Sequence, residues 1–147
     1  MGLLVCTVAS AADVACYQNE IDPSTRRIYA SESEYQSDLE ELLHRRQPPD
    51  PGLFKLAFAY KVYKEAAAEQ QFRTDKVAHC YMGCLLASRV DEETATYAAW
   101  YKEVKDLTDC NRKTHFEWED IKATERGIRL ARTPHQNARL FCRKQCR

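Results

Sequence analysis

Four cysteines stand in two CxxxC pairs, Cys80 with Cys84 and Cys142 with Cys146. On a helix, residues four apart emerge on one face a turn from each other, so each pair is a two-point clasp. Two helices carrying such clasps can be riveted side by side. If they run antiparallel, Cys80 joins Cys146 and Cys84 joins Cys142. The chain holds seven cysteines, and Cys6 lies in a stretch that reads as a cleavable leader. Its removal leaves an even set, as an oxidising compartment favours, and by elimination Cys16 pairs with Cys110. Four thiolates around zinc are the alternative for the two pairs, although zinc ligand pairs usually stand as CxxC turns.

The leader reading rests on the apolar run Met1 to Val8 and on Ala9-Ser10-Ala11, whose small alternate residues suit signal peptidase. It assigns residues 1–11 to a signal peptide and places the mature protein in the periplasm or outside the cell. The run is short and has no Lys or Arg before it, as a truncated start would leave it; a frayed or buried N-terminal helix is the alternative. Asp13-Val14-Ala15 ahead of Cys16 does not make a lipobox. No apolar run approaches the roughly 20 residues that cross a bilayer, so no transmembrane span is expected.

With 147 residues, 44% of them hydrophobic, the chain suits one core. The expected fold is all-α: a single domain over residues 12–147, a bundle of about five to six helices with an N-terminal arm over 12–30. Ser31 with Glu34 forms a capping box for a helix over about 32–46. Pro48-Pro49-Asp50-Pro51-Gly52 breaks it, and Leu53, Leu56, Tyr60, Tyr63 and Ala67 trace the expected core stripe of a second helix running to about Gln71. Thr74 caps a third through Ser88, Thr94 to Leu107 continues the helical period, Glu117 to Ala131 forms a fifth helix, and Pro134 separates a short last one.

Twenty-two basic residues balance 22 acidic ones, which removes a general attraction to nucleic acid. The balance is uneven along the chain: Arg126 to Arg147 holds seven basic residues and no acidic one. These cations are expected either to pack beside an acidic helix such as the one carrying Asp38, Glu40 and Glu41, or to face an anionic membrane surface. An envelope protein is the other partner in view.

The chemistry concentrates in three segments. Asp75 and His79 lie on one face of the third helix; Glu103 and Asp106 do likewise on the fourth, and Asp120 falls in the first turn of the fifth, where the helix dipole favours a carboxylate. If these faces converge, His79, Asp75, Glu103, Asp106 and Asp120 form a candidate catalytic set. So much negative charge must recruit Lys76, Lys102, a proton or a divalent cation. Lys76 and Lys102 are therefore candidates for holding a cofactor, and His79, Glu103 and Asp106 for holding a divalent metal able to activate water. Acid/base work through a carboxylate-tuned His79 is a second use of the same groups. A buried ion-pair network that sets how three helices cross is a third. His115, in the loop before Phe116, reads as an exposed loop histidine, and His44 as a helix C-terminal residue stabilised by the dipole.

The order DKxxH, KExxD and aromatic-x-Trp-x-Asp leading to a glycine resembles the VanZ-like superfamily, in particular its small bacterial envelope relatives, the YfiM-like proteins, which carry DKxxHF, GxxKExxD and FSWxDxxANxxG in that order. The match runs over about residues 74–128. It implies an envelope location and helical packing, and carries family positions onto Asp75, Lys76, His79, Lys102, Glu103, Asp106, Trp118, Asp120 and Gly127. Cys80 stands where an aromatic is usual, Trp100 and Tyr101 replace small residues, and Thr124 replaces an Asn. A cysteine-bearing form of the pattern is also similar to domains linked to secreted bacterial toxins. The expected function is an exported cell-envelope accessory protein; the alternative is a metal-assisted or acid/base hydrolase acting on lipid or cell-wall material, in one form a secreted effector.

Overall fold

The computed structural model describes residues 16–69 and 72–147, in which six α-helices and one short 3-10 turn, Cys16–Gln18, make up the regular structure. The expected signal peptide, the first four residues of the arm and the end of the second helix at 70–71 lie outside the described residues. Helix α1 spans Glu32–His44 and α2 Leu53–Glu69; α3 spans Asp75–Arg89, α4 Glu92–Thr108, α5 Trp118–Ala131 and α6 Ala138–Gln145. Among the described residues no helix is long and apolar enough to cross a membrane.

The caps explain the boundaries. Ser31 Oγ accepts the Glu34 N–H, and the Glu34 carboxylate returns to the Ala30 N–H, one residue before the reciprocal bond of a capping box would fall. Thr74 caps α3 through the Val77 N–H. Helix α4 starts two residues before Thr94 because Asp91 accepts the Thr94 N–H at 2.7 Å. Helix α1 ends at His44 rather than 46, with His44 in its last turn as expected.

All three expected disulfides form: Cys80–Cys146 and Cys84–Cys142 clasp α3 to α6, and Cys16–Cys110 ties the arm to the α4–α5 connection. Such bridges belong to proteins of oxidising compartments. Helices α3 and α5 meet at closest approach through glycine. A Cβ on Gly127 would lie 1.9 Å from the Cys80 carbonyl oxygen, and one on Gly83 would lie 2.4 Å from that of Thr124. That contact brings the first turn of α3 against the first turn of α5.

Two buried clusters flank this pair. One gathers Val62, Tyr81, Leu85 and the α3–α6 disulfides; the other gathers Tyr29, Tyr35, Trp100, Leu107 and Phe116. Helix α2 departs from expectation. Its buried line is Ala59, Val62 and Ala66, one residue out of phase with the expected stripe, and Leu53, Tyr60, Tyr63 and Ala67 lie exposed. Five of its 17 residues are charged and the apolar ones fill a wide arc rather than one narrow stripe, so periodicity leaves the inner line open; the small side chains at one edge of that arc face the core cluster around Tyr81 and Leu85. The C-terminal cations also find other partners than α1. Arg132 binds Glu92 of α4 through two nitrogens, Arg139 reaches Glu65 of α2, Arg129 pairs with Glu125 within α5, and Arg126 donates to the Gln145 carbonyl.

Candidate functional site

The first turn of α3 supplies Asp75, Lys76 and His79, the middle of α4 supplies Lys102, Glu103 and Asp106, and the start of α5 supplies Glu117, Asp120 and Thr124. Close α3–α5 packing puts His79 Nε2 beside three carboxylates: Asp120 Oδ2 at 3.6 Å, and Asp75 Oδ1 and Glu103 Oε1 each at 3.7 Å. These separations exceed hydrogen-bond length. The other ring nitrogen, Nδ1, lies 3.3 Å from Thr124 Oγ1. Thr124 thus makes the cross-helix bond to His79 from the position where the resembling pattern carries Asn.

The site has a floor and a mouth. Glu103, Asp120 and His79 keep side-chain exposures of 1%, 5% and 12%, whereas Asp75 is 67% exposed. Glu103 Oε2 accepts the Glu117 N–H at 2.9 Å, but Oε1 is buried without a hydrogen-bond partner. Lys76 sits with its ammonium 2.5 Å from both Glu117 Oε2 and Asp120 Oδ1. Lys102 pairs with Asp106 one turn along α4.

Burial controls the protonation states. It pushes the Glu103 carboxyl up to about 8; the Glu117 N–H opposes this while Asp120 and Asp106 reinforce it. Burial also lifts Asp120 above the ordinary carboxylate range, in spite of Lys76. Burial lowers the His79 pKa, helped by Lys102 and Lys76, with Asp75 and Asp106 working the other way. Near neutral pH the floor therefore holds a neutral imidazole and a protonated Glu103. Burial works against the charge on Lys76, but hydrogen bonds to Asp120 and Glu117 outweigh it and raise its pKa.

All five expected catalytic residues lie in this region, though not in one equal shell. Among the described residues, the group whose ligand atoms lie within 4.8 Å of one another is Asp75, His79 and Asp120. The expected metal set of His79, Glu103 and Asp106 is therefore rearranged: Glu103 touches His79 from the third side, and Asp106 is committed to Lys102. The physical reason is the i, i+4 reach of Lys102 along α4, which neutralises Asp106 locally. Trp118 packs edge-on against Phe116 at 4.7 Å, and Gly127 serves the helix contact.

Sequence reasoning missed Glu117, which is both the Lys76 partner and the backbone donor to Glu103. It missed Glu20 as well. Glu20 is wholly buried in the polar arm, its carboxyl pushed up to about 8 by burial, with Asp109 and Asp106 adding. His115 Nδ1 lies 3.4 Å from Glu20 Oε2, so His115 is partly buried beside the arm rather than exposed in a loop. No periodicity or motif marks Glu20; the position of Glu117 just before Trp118 was the one available signal for the other. Comparison with family models, curated proteins and solved structures finds no match to this chain.

Proposed function

We propose that this is an exported bacterial envelope protein whose α3–α4–α5 pocket binds a divalent cation and supports metal-assisted hydrolysis of lipid or cell-wall material. The observation that carries the reading is the convergence of three carboxylate oxygens on one imidazole nitrogen at 3.6–3.7 Å, with the buried Glu103 Oε1 unpartnered among them. Two ligands on one cation, each bonded at about 2.1 Å, stand roughly 3.0–3.6 Å apart, so a small inward movement of these side chains suffices. His79, Asp75 and Asp120 would hold the ion, and the Nδ1 contact to Thr124 would fix the imidazole with Nε2 toward it. Such an ion acidifies bound water. Glu103, with its buried Oε1 unpartnered beside His79 Nε2, would stand within reach of that water as a proton acceptor, its carboxyl brought down from its raised metal-free value by the ion's charge. The three disulfides support an extracytoplasmic setting, and the resemblance to YfiM-like proteins supports the envelope as its place.

A non-catalytic accessory protein is the second reading. It is favoured by Lys76 between Glu117 and Asp120 and by Lys102 on Asp106, two lysines that already neutralise part of the charge. Elemental analysis of the oxidised protein, beside the variants His79→Ala and Asp120→Asn, separates the two. Near-stoichiometric Zn, Mn or Fe in the parent, lost in both variants while their helical content is kept, is the expected result. Metal-free parent protein, with variants destabilised by on the order of 3 kcal/mol as a broken buried network requires, would overturn the metal reading in favour of the accessory one.

A further inference from the structure

Helix α2 carries the largest uncovered apolar side chains of the described residues. Phe54 is 91% exposed, Leu53 79%, Tyr60 64% and Tyr63 48%. Large apolar side chains left exposed together on one helix mark a candidate interaction site. Its order along the helix is informative. Leu53 and Phe54 form the N-terminal tip; Tyr60 and Lys61 follow about 10 Å up the axis and Tyr63 and Lys64 about 15 Å up it, at 1.5 Å per residue.

Charge singles out the partner. Lys61 and Lys64 have no carboxylate paired to them among the described residues, whereas Lys55 is turned away onto Asp91 at 2.8 Å and Glu93 at 3.8 Å. Glu65 is taken by Arg89 and Arg139. Asp50, beside the tip, accepts the Gly52 N–H. The outward side therefore offers an apolar tip and, above it, two amphipathic rings level with two cations that have no carboxylate partner among the described residues. A two-fold pairing of copies through this face would bring the lysines of both copies onto one seam, where like charges repel.

We propose that α2 docks on an anionic bilayer surface, with Leu53 and Phe54 entering the acyl boundary and Tyr60, Tyr63, Lys61 and Lys64 at headgroup depth. Apolar groups about 5–10 Å into the boundary with cations above them is the layering of interfacial segments, reached here by the tip of an upright helix rather than by a helix lying flat, and long lysine stems reach the headgroups while their carbons stay in apolar surroundings. The inference is independent of whether the α3–α4–α5 pocket holds metal. It places membrane contact on α2 rather than on the basic C-terminal tail, where Arg132 and Arg139 are held by Glu92 and Glu65; the tail's exposed Arg143 and Lys144 are the comparison that the test includes.

Flotation with phosphatidylcholine vesicles, alone and with about 30% phosphatidylglycerol, tests it. The full chain is expected to float with the anionic vesicles and to be released by salt. Lys61→Gln with Lys64→Gln should weaken anionic binding roughly thirtyfold, at about one headgroup interaction per lysine. Leu53→Ser with Phe54→Ser should lower binding at least about tenfold; their exposure leaves the fold intact, which far-UV circular dichroism verifies. Arg143→Gln with Lys144→Gln, in the tail, should change it little. Three results would each overturn the proposal: failure of the parent to bind anionic vesicles, binding unaffected by the Leu53/Phe54 substitutions, or loss that follows the tail variant instead. A parent dimer in sedimentation that Phe54→Ser dissociates would do so too, by assigning the face to a second copy.

Discussion

Replacing Glu103 by Gln keeps the side chain's shape and leaves an oxygen to accept the Glu117 N–H, while removing the ability to ionise. In the native protein burial lifts this carboxyl to about 8 from 4.5. Between those values the native state holds a proton that the unfolded chain has lost, so parent stability falls as pH rises from about 4.5 and stops falling above about 8. At about 1.4 kcal/mol per pH unit the whole window corresponds to about 5 kcal/mol as an upper bound, since water entry and relaxation reduce the cost of a buried charge. The variant lacks this slope. Glu20, wholly buried with its carboxyl also lifted to about 8, keeps its own slope in both proteins and so serves as an internal reference. Guanidinium unfolding followed by circular dichroism, with a chelator present, should find the two proteins within about 1 kcal/mol at about pH 5 and the variant more stable by about 3–5 kcal/mol at about pH 8.5. Parallel pH profiles would refute the argument, because they would mean that Glu103 ionises as readily in the folded protein as in the unfolded chain.

Gly127→Ala tests the helix contact that assembles the site. The new Cβ would meet backbone atoms, the Cys80 oxygen at 1.9 Å and the Cys84 nitrogen at 2.7 Å, which cannot rotate away. A loss of about 3 kcal/mol or more in denaturant unfolding is expected, at or beyond the usual cost of overpacking, and an unchanged midpoint would contradict the α3–α5 approach. Thr124→Val keeps the shape of the side chain and removes the hydroxyl 3.3 Å from His79 Nδ1. Titration with Zn or Mn should register about a 10- to 100-fold weaker affinity with helical content unchanged; equal affinity would show that Thr124 does not orient the imidazole.

Much of this protein is legible in its sequence because the relevant physics is local. Two CxxxC pairs specify clasps on two helices whatever lies between them, and the three bridges follow once those helices are taken as antiparallel and Cys6 is set aside. Thr74 and Pro134 mark helix boundaries because capping and proline geometry act within a turn. The composition of the pocket is legible for the same reason, since DxxxH and KExxD each put their charges on one helical face.

Which of those charges meet is decided elsewhere. The distance from His79 to Asp120 depends on Gly83 and Gly127 letting two helices touch, and Lys102 withdraws Asp106 through a rotamer that spacing does not choose. Glu20 is buried where the Cys16–Cys110 bridge holds its polar arm against the α4–α5 connection, beside His115, although nothing in the arm's own residues calls for burial. Helix α2 is the clearest case: its apolar residues fill a wide arc with two possible inner lines, and packing selected the smaller side chains and left the aromatic ones outside. The sequence by itself determined the helices, their staples and the chemical groups available. The tertiary structure alone decided their partners, exposure and protonation, because those depend on atoms distant in the chain brought within a few ångströms by packing.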